Sequence, residues 1–437
     1  MKKMLSLTLV AVLLLAMFAG CASSAPSADA ATKADTVTKA DTATNADAAT
    51  KAGEKIKLEF WDWEATDEVI KLFNSNNPDI EVVKVQLSHA DVNSRLSIAL
   101  SAGIGAPDIY KTTSRYFPQF RDMGKMYDMT ADMQDVIGGF PEALQKLVQK
   151  DGKIYGLPCD ISPSVLWYRK DIFDENGIGE IKTFTEYNEA AKKLKAKGIY
   201  MMPAFNPAGS WGANAVGMML GSRDGNYFTA DGKVIKNNKD LEIVLTWLDD
   251  MVDNQYAESL TFFTPEFWGE FKSGKVASWI MNVSEGSNIK STAPENSGKW
   301  SVTNVPKWDD KDKAMTGFWG GTVMSIPDQS KNKEAAVRFV KTFTTDTKTL
   351  VLYAKTCFDL PAYTEALSDP YFKQDDPYFS DENAFEKFNE TPSFYYYDWG
   401  VTEKIIGEKL DLMFAGKLTP IEAARAMEDT IAKETGR

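Results

Sequence analysis

The apolar positions of this chain change period repeatedly, and each change marks an element. Ile56 to Trp61, reading IKLEFW, alternates as a half-buried strand does, while Val69, Ile70, Leu72 and Phe73 in the following EATDEVIKLFNSN segment fall on one helical face. Strand pattern returns from Ile80 to Leu87. Strand, helix and strand at this spacing predict a right-handed βαβ unit within an α/β sheet. Val92 to Ser101 predicts another helix, and PDIYKTT, after Gly105 and Ala106, a further strand. The pattern continues with a helix over Thr185 to Lys197, a strand over Met201 to Phe205 and a helix over Leu241 to Val252. Towards the C terminus, KNKEAAVRFVKTFT and TPIEAARAMEDTIAKE read as helices, each introduced by a turn or capping residue.

The residues before Ile56 follow different rules. Lys2 and Lys3 precede an apolar run from Met4 to Phe18 that closes on Ala19, Gly20 and Cys21, which is the charge and length pattern of a secretion signal. The string LAMFAGC is similar to a bacterial lipobox, which implies cleavage after residue 20 and acylation of Cys21. From Ala22 to Lys55 there is no Leu, Ile, Phe or Trp, and imperfect hexads begin at Thr32, Thr38, Thr44 and Thr50. Such a stretch cannot form a core; residues 21–55 read as a lipidated cysteine followed by a flexible tether.

Composition narrows the chemistry. The chain has 437 residues, 43% hydrophobic, enough for a sizeable core divided into two or three units. Sixty-two acids against 49 bases give a net charge of −13, which repels phosphate backbones and argues against nucleic acid as a partner. Three cysteines and a single histidine cannot supply a disulfide framework or a Cys/His zinc site. His89 reads most simply as a polar residue after a strand, so triad catalysis starts with little material. No metal and no cofactor is expected.

Ordered fragments then carry a resemblance. LEFWDWE, FNSNNPDIEV, RLSIALSAGIGAPDIY, DGKIYGLPCDISPSVLWYRKDIFDENGI, FTEYNEAAKKLKAKG, EFKSGKVASWIMN, GGTVMSIPDQSKNKEAAVRFVKTF and AGKLTPIEAARAM occur in the order found in the extracellular solute-binding proteins of bacterial ABC importers. The chain resembles specifically the carbohydrate-binding group related to maltose-binding protein. The resemblance implies two α/β lobes, a periplasmic-binding-protein-like fold with a hinge, and ligand held between discontinuous lobes. Crossovers are expected near Asp160 to Ser164, Thr303 to Pro306 and Phe343 to Thr347. These would divide the body into 56–161 with 305–343, and 162–304 with 344–437. Cys159 and Cys357 both map near the cleft and read as separately buried thiols, with a disulfide as the alternative.

A sugar offers apolar C–H faces and a rim of hydroxyls, so its site needs aromatic plates beside donors and acceptors. Trp63 and Glu64 lie just beyond the first strand, where related proteins place ligand contacts. Ser114 and Arg115 occupy the loop after PDIYKTT, with a surface ion pair as the alternative for Arg115. Asp160 stands at the first crossing, where a hinge salt bridge is its rival role. The resemblance aligns Trp211 with an aromatic stacking position, and Asn282 and Glu285 follow the ASWIM strand of the second lobe. Trp319, before Gly320 and Gly321, Asp359 in KTCFDLP and Trp399 in FYYYDWG complete the expected binding set.

The implied function is capture of a neutral oligosaccharide by a monomeric, membrane-anchored protein that delivers it to the transmembrane subunits of an ABC permease. Xylo-, cello-, manno- and malto-oligosaccharides all fit the aromatic content. A secreted glycoside hydrolase is one alternative, since acids and aromatics also line hydrolytic clefts, but no acid and nucleophile pair stands out among the sixty-two acids. A sugar-sensing or adhesion lipoprotein is another. Replacing Cys21 by Ala should release the protein from the membrane fraction or block its processing, read by fractionation and immunoblot; unaltered retention would defeat the lipid anchor.

Overall fold

Alternation from Ile56 onward does produce a strand, and the first three strands build as a parallel set. In the computed structural model, which describes residues 55–204, 210–317, 320–380, 382–387 and 396–437, β1 (Ile56–Asp62) pairs in parallel with β2 (Ile80–Gln86). The crossover is helix α1 (Asp67–Asn76), which turns Val69, Ile70 and Phe73 inward. Helix α2 (His89–Ala102) then leads to β3 (Ile109–Thr113), on the other side of β1. The Ser88 hydroxyl caps α2 by accepting from the Asp91 backbone, and Gly103, at φ 75°, ends it in the left-handed region that glycine enters without a Cβ penalty.

Two strands from distant parts of the chain complete this sheet, whose order is β2, β1, β3, Thr322–Ser325 and Leu157–Pro158. Thr322–Ser325 runs antiparallel to β3. The helix Lys333–Thr345 covers it, setting the Phe339 and Phe343 rings 5.5 and 6.5 Å from Phe60.

A second, antiparallel sheet is centred on Ser164–Arg169, flanked by Ser278–Asn282 and Trp300–Asn304. Trp279 lies opposite Trp167 in that register, and both are fully buried, as is Trp300. Helices Phe184–Lys195, Ser210–Gly221, Lys239–Asp253, Trp399–Phe414 and Pro420–Thr435 share this core. The first and last are opened by capping boxes, Thr183 with Glu186 and Thr419 with Glu422. The strand expected over Met201 to Phe205 is only Met202–Ala204 long, with Phe205 outside the described residues.

The two cores are joined by strands running side by side. Asp160–Ile161 pairs with Leu360–Pro361. Next to it, the Cys159, Ser162 and Ser164 amides donate to the carbonyls of Thr322, Gly320 and Gly317. The helix Thr347–Cys357 serves both sides, sending Tyr353 into the first core and Ala354 into the second.

Close approach explains a glycine here. A Cβ on Gly321 would stand 2.2 Å from the Asp160 carbonyl oxygen, a clash that only backbone movement relieves. Gly321→Ala should therefore cost about 1–3 kcal/mol of unfolding free energy in denaturant titration. Gly269→Ala, inside the helix Pro265–Ser273 with open space around it, should cost nothing and gain up to about 1 kcal/mol. Equal effects of the two would defeat the steric account.

Candidate functional site

The end of β1 turns sharply because of one carboxylate. Asp62 Oδ1 accepts from the backbone amides of Trp63 (2.8 Å) and Glu64 (3.2 Å), and Oδ2 accepts from the Thr66 hydroxyl at 2.6 Å. The turn delivers Trp63 and Glu64 to the C-terminal edge of the sheet. From the middle of β3, whose neighbouring positions are apolar or hydroxyl-bearing, Lys111 reaches the same place and is fully buried. Its ammonium lies 3.3 Å from Asp62, donates to Glu64, and sits 5.3 Å from the centre of the Trp63 ring.

Three expected residues converge on a hydroxyl that sequence reasoning missed. The Tyr353 oxygen, on the helix Thr347–Cys357, contacts Glu64, lies 3.2 Å from Asp160 Oδ2 and 3.4 Å from Asp359 Oδ2, and also receives the Lys111 ammonium at 3.4 Å. Asp160 further accepts from the Thr322 hydroxyl. Burial pushes the Glu64 carboxyl up to about 7 against the pull of Lys111, with the Asp62 and Asp160 charges adding to the rise. Asp160 and Asp359 are raised too, chiefly by burial. Glu64, Cys357 and Asp359 bring ligand atoms within 4.8 Å of one another, a spacing that admits a metal ion, but the Lys111 ammonium takes the cationic place. Cys159 and Cys357 are free thiols, buried and half-buried.

A second neighbourhood forms where the loop after β3 meets the helix Trp399–Phe414. Tyr116 donates its hydroxyl hydrogen to Glu403, and Glu403 also accepts from Asn214 Nδ2 at 3.1 Å, so one carboxylate ties the loop after β3 to two helices of the second core. Ser114 and Arg115, both buried, precede Tyr116. The Arg115 charge acts on Tyr396, and Tyr396 packs edge-on to Trp399 at 5.2 Å. Ser114 Oγ, Asn214 Oδ1 and Trp399 Nε1 have no hydrogen-bond partner among the described residues. His89 links the two neighbourhoods, its ring 5.0 Å from Trp63 and 5.8 Å from Tyr116. Burial and then the Arg115 charge lower the imidazole to about 4, so it is neutral at physiological pH and acts as an aromatic spacer.

The remaining expected residues are placed as follows. Asn282 ends its strand buried, with Nδ2 on Ser284 and Oδ1 unpartnered among the described residues. Glu285 opens the next helix, is pushed up to about 7 by burial, and accepts from Asn288 Nδ2 at 2.8 Å. Its neighbour Gly286 packs against Phe358, the residue before Asp359. Trp211 is 37% exposed and has Phe263 and Phe262 at 4.7 and 6.5 Å. Trp399 is 1% exposed and lies in the second core against Tyr227 and Tyr396. Trp319 and Cys21 lie outside the described residues.

The structure thus brings Trp63, Glu64, Asp160 and Asp359 together, and Ser114, Arg115 and Trp399 in a second group. Sequence reasoning missed Asp62, Lys111, Tyr116, Asn214, Tyr353 and Glu403. Only Lys111 left a visible sign, a lone charge at mid-strand in PDIYKTT.

A profile described as bacterial extracellular solute-binding protein matches residues 68–379. The arabinooligosaccharide-binding protein of Bacillus subtilis (strain 168) is 28% identical over 302 residues, 65% of this chain and 68% of that protein. The protein of the same name from Halalkalibacterium halodurans is 26% identical over 350 residues, covering 76% and 77%. Among solved structures, an ABC transporter associated binding protein from B. animalis subsp. lactis Bl-04, in complex with beta-1,6-galactobiose, superposes with a TM-score of 0.75 at 21% identity, over 88% of this chain and 99% of that one.

Truncating Glu403 to Ala would strand two donors, the half-buried Tyr116 Oη and the buried Asn214 Nδ2. Stability should fall by about 1–3 kcal/mol, measured by chemical denaturation, and Glu403→Gln, which keeps an acceptor, should recover part of it. Equal losses in the two variants would show that the acceptor is not what matters.

Proposed function

This chain belongs to the bacterial extracellular solute-binding proteins, and from that footing we propose that it captures a neutral oligosaccharide outside the cytoplasm and passes it unaltered to an ABC permease. The observation that carries this reading is a group of buried polar atoms without hydrogen-bond partners among the described residues, Ser114 Oγ on one side of the junction and Asn282 Oδ1 and Trp399 Nε1 on the other. Burying a polar group unpaired costs free energy, and sugar hydroxyls supply the matching donors and acceptors. The excess of carboxylates in the acidic neighbourhood disfavours an anionic ligand.

Two groups of elements with separate cores, joined by short paired strands, suit capture by closure. We divide the body near the strand pair of Asp160–Ile161 with Leu360–Pro361, with the helix Thr347–Cys357 shared. A ligand with higher affinity for the closed arrangement shifts the population toward it, giving the permease a distinct form to recognise. Trp63 and Trp211 offer faces for sugar rings, and Glu64, Ser114, Arg115, Asp160, Asn282, Glu285 and Asp359 orient the hydroxyl rim. Trp319, beside Gly320, belongs to the same reading. Acylation of Cys21 and the tether through residue 55 would hold a monomer at the membrane surface. No helix among the described residues is long and apolar enough to cross a membrane.

The names of the relatives make an arabino-oligosaccharide the first probe and a galacto-oligosaccharide the second, with malto-oligosaccharides added from the resemblance to the group related to maltose-binding protein. Calorimetric titration should give saturable heat with at least one, and chromatography should recover the sugar intact. Absence of saturable binding across the set would overturn the proposal, and fragments would favour the hydrolase. Trp211→Ala should weaken affinity by about 1–3 kcal/mol while preserving the melting transition, as expected for loss of one stacked ring.

A further inference from the structure

One buried hydroxyl faces three carboxylates. Tyr353 has a single hydrogen to donate, yet Glu64, Asp160 and Asp359 all stand at its oxygen, which already receives Lys111. The lysine does not neutralise them all. It is shared with Asp62, 3.3 Å away, a carboxylate that also accepts from two backbone amides and the Thr66 hydroxyl. Among the described residues, the groups facing this set are Asp62 and Glu64 after β1, Lys111 on β3, Cys159 and Asp160 on the connecting strand, Tyr353 and Cys357 on the helix Thr347–Cys357, and Asp359 after it. Lys111 is the one cation among these, and Lys84 on β2 donates to the Glu64 backbone carbonyl at 3.1 Å while paired with Asp67. Carboxylates sharing a buried hydroxyl cannot all ionise, because like charges at that separation repel strongly where water is excluded.

We propose that Tyr353 is a positioning residue of the sugar site: with Lys111 it holds Glu64, Asp160 and Asp359 as a proton-sharing set, and sugar capture draws on the shared proton. The inference rests on the sugar-binding reading for its second half only. Glu64 is the member nearest solvent, its side chain 16% exposed, whereas Tyr353, Asp160 and Asp359 are buried. A ligand that covers Glu64 removes its remaining water and so favours the protonated acid further. Binding is then coupled to proton retention, and affinity falls as pH rises through the value at which the free site loses its proton. Burial sets that value for Glu64 at about 7. The protonated acid also donates a hydrogen bond, which a carboxylate cannot.

Sugar affinity should be measured by calorimetry from pH 5.5 to 8.5 in the intact protein and in Tyr353→Phe. The wild type should weaken above pH 7, approaching tenfold per pH unit at the limit of one proton. Removing the Tyr353 hydroxyl takes away a donor that steadies the ionised form, so its falling limb should move to higher pH. A purely structural role would lower affinity by one factor at every pH. A flat wild-type profile, or a uniform loss in Tyr353→Phe, overturns the linkage.

The melting temperature of the sugar-free protein tests the proton-sharing set by itself. Between the unfolded glutamate value, about 4.3, and about 7, the native state keeps a proton that the unfolded chain has released, so this set's contribution to stability declines as pH rises. Glu64→Gln should remove that decline relative to wild type. Matching pH profiles in the two overturn the set. A decline abolished by Glu64→Gln, together with no binding of any saccharide, would uphold the set and reject the sugar reading instead.

Discussion

A fully buried ammonium sets the order of the protein's central region. Lys111 is carried inside by a strand of the first sheet, and removing its charge from water is tolerated only where carboxylates and ring faces replace the lost hydration. Asp62 answers on the same sheet and uses its remaining lone pairs to fold the chain sharply after β1. Trp63, Phe343 and Tyr353 place their rings within 6 Å of the ammonium. The loop carrying Trp63 and Glu64, the connecting strand carrying Asp160 and the helix carrying Tyr353 are thereby anchored to one point, where distant parts of the chain meet.

That meeting point is also where the two cores part. The connecting strands are short, pair through few hydrogen bonds and approach each other so closely that Gly321 has no room for a side chain against Asp160. Large apolar clusters lie on either side, and polar groups gather between them. A junction of this composition can change angle without exposing either core, because the packing that gives stability lies away from it. Tyr116 with Glu403, and Tyr353 with Asp160 and Asp359, are among the polar ties there.

The aromatics divide by the same logic. Trp167, Trp279 and Trp300 are sealed within the second core, where their area contributes to stability. Trp211 is partly open, against Phe262 and Phe263, and Trp63 is half-buried, so these two rings keep accessible surface. Trp399 behaves differently from the expectation of an open ring: it opens the helix Trp399–Phe414 almost fully buried, between Tyr227 and Tyr396, with only its indole nitrogen left unpaired among the described residues.

What the sequence determined by itself was the local and the periodic. The strand at Ile56 and the helices through Phe343 and Ala424 followed from spacing and capping, which act within a few residues. Family-like fragments, in their order, pointed to two α/β lobes. Only the tertiary structure decided which side chains meet. Tyr353 carried no role in the sequence, and nothing local connects it with Glu64, 289 residues away. Glu403 was one acid among sixty-two until folding brought it to Tyr116. Pairing across hundreds of residues depends on how the sheets and helices pack, and no window of sequence holds that information. Lys111 lies between the two cases: its charge inside an otherwise buried strand was legible, while the carboxylates that make it tolerable were not.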